Sequence, residues 1–268
     1  MVNKYLLAAP CRIARLARKH FVNTCLPQCC VLCRQAALEG LAICSTCHLL
    51  LLKQSLNNFS QCLRCALPLG GGDRLKHAAL HCPRCISAAP DFSRCIAALS
   101  YDRLSGLIIN RFKHKELLAA RSIICSLMID AINQRQALNT GSKGVNKLNI
   151  DMVIPVPLHP KRLRQRGFNQ ALEIAKPIAR HFKLPIAPNA CQRNKYANAQ
   201  QTLNSRQRAK NLDNAFSVCA NQIAGRRIAI VDDVVTTTHT ARSLSKLLMQ
   251  AGAVDCEVWC FARTPVHH

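Results

Sequence analysis

The chain has 268 residues, 49% of them hydrophobic, which is enough for two modest domains with packed interiors. It carries 37 Lys and Arg against 13 Asp and Glu, a formal net charge of +24, and such a field favours polyanions: nucleic acid, phosphorylated metabolites or an acidic membrane surface. Aromatics make up only 4%, which argues against a surface that stacks many successive bases.

In chain order, residues 1–24 are a basic N-terminal segment. A short apolar run ends at Pro10, and Arg12, Arg15, Arg18 and Lys19 follow, so residues 11–22 read as a basic amphipathic helix or a frayed leader. The run is too short to cross a bilayer, no small-residue cleavage site follows it, and the later run Leu49 to Leu52 stops at Lys53. No membrane span is expected, and a reducing, cytoplasmic setting fits best.

Residues 25–95 form a second segment, rich in cysteine, poor in periodicity and broken at Gly70-Gly71-Gly72. It holds four C-x-x-C pairs: Cys30/Cys33, Cys44/Cys47, Cys62/Cys65 and Cys82/Cys85. Two thiolates two residues apart face one metal from a tight turn, and two such turns complete a tetrahedral shell. Eight ligands imply two structural Zn²⁺ sites in a double zinc ribbon, with metal binding supplying folding energy that so small a unit lacks. The pairing is open, either sequential or crossed between the first and third pairs. Cys29 is an alternative to Cys30, and His48 and His81 are weaker alternatives. The single cysteines at 95, 125, 191, 219, 256 and 260 are expected as small buried hydrophobes.

Residues 96–268 read as one α/β domain. A strand is predicted over 96–101, two helices over 104–135, a linker over 139–149 and a buried strand over 152–154. A helix follows over 168–182, then a polar, basic loop over 193–214, a buried strand over 228–231, a helix over 239–251 stopped by Gly252, and a last strand over 254–261. Strands alternating with helices imply a parallel sheet.

The segment with most chemical content is Ile228-Ala229-Ile230-Val231-Asp232-Asp233-Val234-Val235-Thr236-Thr237-Thr238-His239-Thr240. An apolar strand runs into two carboxylates, then a threonine cluster, then a helix. Ligands of open α/β sheets bind beyond the C-terminal strand ends, and a helix start offers free N–H groups to an anion. Two acids for a ribose diol and a hydroxyl-rich loop for a phosphate together suit a 5-phosphoribosyl group. Adjacent acids at a buried strand end are otherwise costly.

A basic stretch follows the 152–154 strand. Pro155-Val156-Pro157-Leu158-His159-Pro160 is stiff and extended, and Lys161, Arg162, Arg164 and Arg166 come next, before Gly167. Arginine forks suit pyrophosphate oxygens, and a nucleic-acid backbone is the other anion of that type. Arg193, Lys195, Arg206, Arg208 and Lys210 extend the charge, either as a hood over the site or as a track for nucleic acid.

The acidic-threonine segment resembles the phosphoribosyl-pyrophosphate (PRPP) motif of type I phosphoribosyltransferases. Together with the cysteine pairs, Tyr101-Asp102, Phe112-Lys113, the run from Pro155 to Gln170, and Gln200, Gln201, Leu203 and Arg206, the chain is similar to the ComF family, in its GntX-like branch linked to competence and DNA utilisation. The resemblance implies a type I phosphoribosyltransferase-like domain. Asp232 and Asp233 would hold the ribose hydroxyls, and Thr236, Thr237, Thr238, His239 and Thr240 the 5′-phosphate. Lys161, Arg162 and Arg166 would face pyrophosphate, with Mg²⁺ bridging it. The family pattern has glycine at Thr238, a position where a β-branched residue resists positive φ, so either the turn differs or phosphate is held more weakly. Thr236 stands where purine-salvage relatives place a carboxylate base, so the loop supplies no evident general base. Two functions follow: a pentosyl transferase acting on PRPP and an unknown acceptor, or a non-catalytic holder of single-stranded DNA or a nucleotide, working with DNA-uptake proteins. A zinc-ribbon adaptor for transcription or the ribosome ranks third, because it leaves the acid pair idle.

Overall fold

The computed structural model describes residues 29–56, 60–69, 81–114, 117–139, 148–194 and 215–265. The expected helix at 11–22, the 140–147 part of the linker and most of the 193–214 loop lie outside these residues, as do Gln200, Gln201, Leu203, Lys195, Arg206, Arg208 and Lys210.

Four parallel strands make the central sheet: β1 (Arg94–Ser100), β2 (Met152–Pro155), β5 (Arg227–Val235) and β6 (Asp255–Arg263), in the order β1-β6-β5-β2. The interior strands are largely apolar on both faces, as a sheet covered on both sides requires; β6 is buried at every position after Asp255, Glu257 and Arg263 included. One face carries α3 (Arg103–His114), α4 (Leu117–Asn139) and α6 (Gln170–His181), packed with Leu99, Val231, Trp259 and Phe261 into one core. The other carries α8 (His239–Gln250), whose Ala241, Leu244 and Leu248 join Ile228, Ile230, Val258 and Cys260 in a second core. The shorter elements are α1 (Ser45–Lys53), α2 (Pro83–Ser87), α5 (Pro160–Arg166), α7 (Ala220–Ile223) and an antiparallel hairpin of β3 (Cys191–Arg193) with β4 (Phe216–Val218). Among the described residues no helix is long and apolar enough to cross a membrane.

The cysteine-rich segment closes the sheet edge at β1. The Cys95 amide donates to the Arg64 carbonyl (2.7 Å), the Ser100 amide to the Gln54 carbonyl (3.1 Å), and Ser55 pairs with Leu99. An edge strand left open would template pairing with another chain, so this cover is structurally useful.

The basic residues after the proline run lie on a short helix that the sequence reading did not include: Pro160 starts α5, since proline is tolerated at a helix N-terminus, and Gly167 ends it at φ 79°, its N–H bonded to the Leu163 carbonyl (2.7 Å). One local expectation differs from the structure. Cys219 is exposed, whereas Cys95, Cys125, Cys191, Cys256 and Cys260 are buried as expected.

Candidate functional site

The cysteines form two quartets, Cys30/Cys33/Cys44/Cys47 and Cys62/Cys65/Cys82/Cys85, and within each the four Sγ atoms lie within 4.8 Å of one another. The pairing is therefore sequential, and neither Cys29, His48 nor His81 belongs to a quartet. Both are built alike. The first pair sits in a turn where the second cysteine's successor has positive φ, Arg34 at 66° and Ala66 at 54°. That residue's amide bonds back to the first cysteine's carbonyl, at 2.8 Å in one quartet and 2.9 Å in the other. The second pair opens a helix, α1 or α2. The Leu32 amide donates to Cys30 Sγ and the Cys47 amide to Cys44 Sγ, each at 3.4 Å. Burial opposes ionisation of Cys30, yet the backbone amides of Cys44, Cys33 and Leu32 outweigh it and lower its pKa. Four converging sulfurs with amides aimed at them suit a metal ion bound by thiolates.

The acid pair sits where β5 outruns β2. Pairing of β2 with β5 ends at Pro155 opposite Val231, with the Val156 amide donating to the Val231 carbonyl (2.9 Å). Pro157 has no N–H with which to continue the ladder. β6 continues alongside β5 as far as Val235, so Asp232 and Asp233 lie within the strand and not beyond it. Both carboxylates accept from the next backbone amide, Asp232 Oδ1 from Asp233 N (2.9 Å) and Asp233 Oδ1 from Val234 N (2.8 Å). Burial pushes the Asp232 carboxyl well above the usual carboxylate range, the Asp233 charge adds to this, and Lys113 acts against it. Lys113, from α3, reaches Asp233 at 3.5 Å. Its sequence signal was no more than its place in Phe112-Lys113.

The threonine loop joins β5 to α8. Thr236 and Thr237 are exposed, while Thr238 is buried. Thr238 takes the left-handed region, at φ 62° and ψ 1°, a positive φ that a β-branched residue resists, so the residue is strained. Its hydroxyl donates to the Thr237 carbonyl (2.6 Å) and accepts from Arg242 Nε (3.2 Å), and these bonds offset part of the strain. Arg242 Nη2 is buried and has no hydrogen-bond partner among the described residues.

The basic residues divide. Arg162 is half-buried on α5, whereas Lys161, Arg164 and Arg166 are exposed on it. Arg193, on β3, lies 5.4 Å from the centre of the Phe216 ring. Burial lowers its pKa, the Arg162 charge lowers it further, and Asp232 raises it, so Arg162, Arg193 and Asp232 share one electrostatic neighbourhood. Arg193 also lines a cleft of about 730 Å³, together with Pro157, Leu163, Phe168, Asn169 and Gln192 among others. Asn169 braces its wall: Nδ2 donates to the Val156 carbonyl (3.1 Å) and Oδ1 caps α6 by accepting from Ala171 N (3.0 Å). Tyr101 and Asp102 stand apart from this cleft. Asp102 caps α3, exchanging bonds with Ser105 at 2.8 Å each way, and Tyr101 covers Gly106.

No family model matches the sequence. Among curated proteins the chain is similar to Competence protein F of Haemophilus influenzae, 31% identical over 240 residues that cover 87% of this chain and 96% of that protein. It is 31% identical to DNA utilization protein YhgH of Escherichia coli K12 over 243 residues, 89% of this chain and 98% of the relative. Among solved structures, a purine phosphoribosyltransferase from Pyrococcus horikoshii covers 52% of this chain and 73% of its own at 14% identity and a TM-score of 0.33. An adenine phosphoribosyltransferase covers 52% and 69% at 15% identity and a TM-score of 0.32.

Proposed function

The chain belongs to the family of Competence protein F and the DNA utilization protein YhgH, and we propose that it serves DNA uptake or utilisation by binding PRPP at the end of β5 and transferring its phosphoribosyl group to an acceptor. The observation that carries this reading is the pair Asp232 and Asp233, left unladdered on the β2 side and followed at once by a loop that opens a helix.

In this reading Asp232 and Asp233 accept hydrogen bonds from the ribose diol, with Lys113 standing 3.5 Å from Asp233. Thr236 to Thr240 take the 5′-phosphate through amides, hydroxyls and the α8 N-terminus. Arg162, with Lys161 and Arg166 on the same helix, faces pyrophosphate, and Arg193 on β3 adds a further cation. Bound Mg²⁺ would neutralise pyrophosphate charge. Displacement at the anomeric carbon then depends on positioning and on cations set where charge develops on the leaving group. Thr236 is exposed and not acidic, so proton removal falls to the acceptor or to a group outside the loop. The metal of both quartets is taken to be Zn²⁺ in a closed, structural role, because tetrahedral all-sulfur sites suit it.

The test is calorimetric titration of the zinc-loaded chain with PRPP and Mg²⁺, beside Asp232→Asn/Asp233→Asn. Saturable binding that the double variant abolishes supports the reading; equal binding by both sinks it. The +24 charge and the exposed Lys161, Arg164 and Arg166 favour a second reading, a holder of single-stranded DNA without turnover. That reading predicts DNA affinity falling steeply with salt and indifferent to PRPP.

A further inference from the structure

Two arginines join the second cysteine quartet to the threonine loop. Arg84 stands between Cys82 and Cys85, and its Nη1 donates to the Thr237 carbonyl at 2.8 Å. Arg263, buried at the end of β6, donates from Nε to the Cys65 carbonyl (2.9 Å). Its Nη1 donates to the carbonyls of Val235 (3.2 Å), Thr236 and Thr264 (2.8 Å). One rigid guanidinium thus links the backbone of a quartet cysteine to the backbone on which the loop begins.

The consequence lies in peptide geometry. In a trans peptide the carbonyl and the following N–H point in opposite directions across one plane. The carbonyls of Val235, Thr236 and Thr237 share peptide planes with the amides of Thr236, Thr237 and Thr238. Holding those three carbonyls on the quartet side turns those three amides to the opposite side. A loop that binds an anion through its amides needs this arrangement set before the ligand arrives, since ordering it on binding would cost affinity. The charge balance agrees: a divalent ion held by four thiolates leaves a net negative charge beside Arg84 and Arg263.

We propose that Arg84 and Arg263 are positioning residues through which the second quartet, closed on its metal ion, presets the amides of Thr236 to Thr238 for a phosphate group. Phosphate affinity at the loop then depends on metal occupancy of the second quartet and not of the first. The proposal rests on the PRPP reading for its ligand; the backbone coupling stands apart from it and is measured without ligand.

The test is hydrogen–deuterium exchange of the metal-loaded full chain over residues 236–240, run beside calorimetry with PRPP and Mg²⁺. Arg84 is exposed and makes one bond to the loop, so Arg84→Ala is expected to fold and to keep both metal ions. It should speed loop exchange about fivefold and weaken PRPP about fivefold, the worth of one hydrogen bond, with the melting midpoint unmoved. Arg84→Lys, which keeps one donor, should recover most of both. Cys65→Ser/Cys82→Ser should reproduce the loop signature, and Cys33→Ser/Cys44→Ser should not. Unchanged loop exchange in Arg84→Ala, or equal loosening by the first-quartet variant, overturns the proposal. Faster exchange in Arg84→Ala with no PRPP binding by the unaltered chain upholds the coupling and removes only the PRPP reading.

Discussion

The two cysteine quartets share one local plan and sit against different parts of the sheet. The first joins the core of Leu99, Ile108, Trp259 and Phe261, under α3 and α4. The second joins the core of Phe92, Ile230, Val235 and Leu244, under α8, on the face from which the threonine loop rises. Where the second has Arg84 between its last two cysteines, the first has Thr46 at the matching place, with no long cationic arm. One local plan thus serves two purposes: the first braces the sheet edge through Gln54 and Ser55, and the second also holds the loop.

The largest effects come from opening the quartets. Cys65→Ser/Cys82→Ser and Cys33→Ser/Cys44→Ser should each release one metal ion, seen by metal analysis, and cost several kcal/mol, since structural zinc contributes on the order of 10 kcal/mol of apparent folding energy to small units. Loss of metal from either quartet with no drop in melting temperature would break the comparison at its root.

Next in size is the acid pair on β5. Burial, then Asp233, raises the Asp232 pKa in the folded chain. The native state therefore binds that proton more tightly than the unfolded chain does. Stability is full below the unfolded value of about 3.9, falls as pH rises, and is fully reduced above the raised native value. Asp232→Asn should remove that pH dependence, raise stability at neutral pH, and weaken PRPP. Chemical denaturation at several pH values checks the sign.

Asp102→Ala removes the cap of α3 where β1 ends, beside the strand position that Gln54 braces. It should cost about 1 kcal/mol in urea denaturation and leave PRPP binding as it was. A large loss of PRPP affinity would place Tyr101-Asp102 in the site after all. The smallest effect is expected of Thr238→Gly. It relieves the left-handed strain at φ 62° but loses the bonds to Arg242 and the Thr237 carbonyl, so stability should rise by only a few tenths of a kcal/mol. PRPP affinity should rise with it.

Much of the fold was legible because its strands are short apolar runs and its helices keep regular spacing: Met152–Pro155, Arg227–Val235 and Gln170–His181 fall close to their expected places. Elements governed by tertiary contact were not. The strands Cys191–Arg193 and Phe216–Val218 are too short to show alternation and exist by pairing with each other. The helix Ser45–Lys53 carries exposed Leu49, Leu50 and Leu52, so its apolar pattern does not mark a buried face. Asp232 and Asp233 are conspicuous in the sequence as an adjacent acid pair, but the cations near them arrive from other elements, Lys113 from α3 and Arg193 from β3.

By itself the sequence determined ligand chemistry. Four C-x-x-C pairs suit sulfur ligation, and an acid pair before a threonine-rich helix start suits the hydroxyl and anion recognition proposed for it, because those geometries are set within a few residues of backbone. Only the tertiary structure decided which cysteine pairs converge, where β2 stops and leaves the acids unladdered, and that the second quartet bonds to the loop. Arg84 and Thr237 are 153 residues apart, and Cys65 and Arg263 are 198 apart. Contacts at that range depend on strand order and on which face of the sheet each segment covers, and no local spacing rule encodes either.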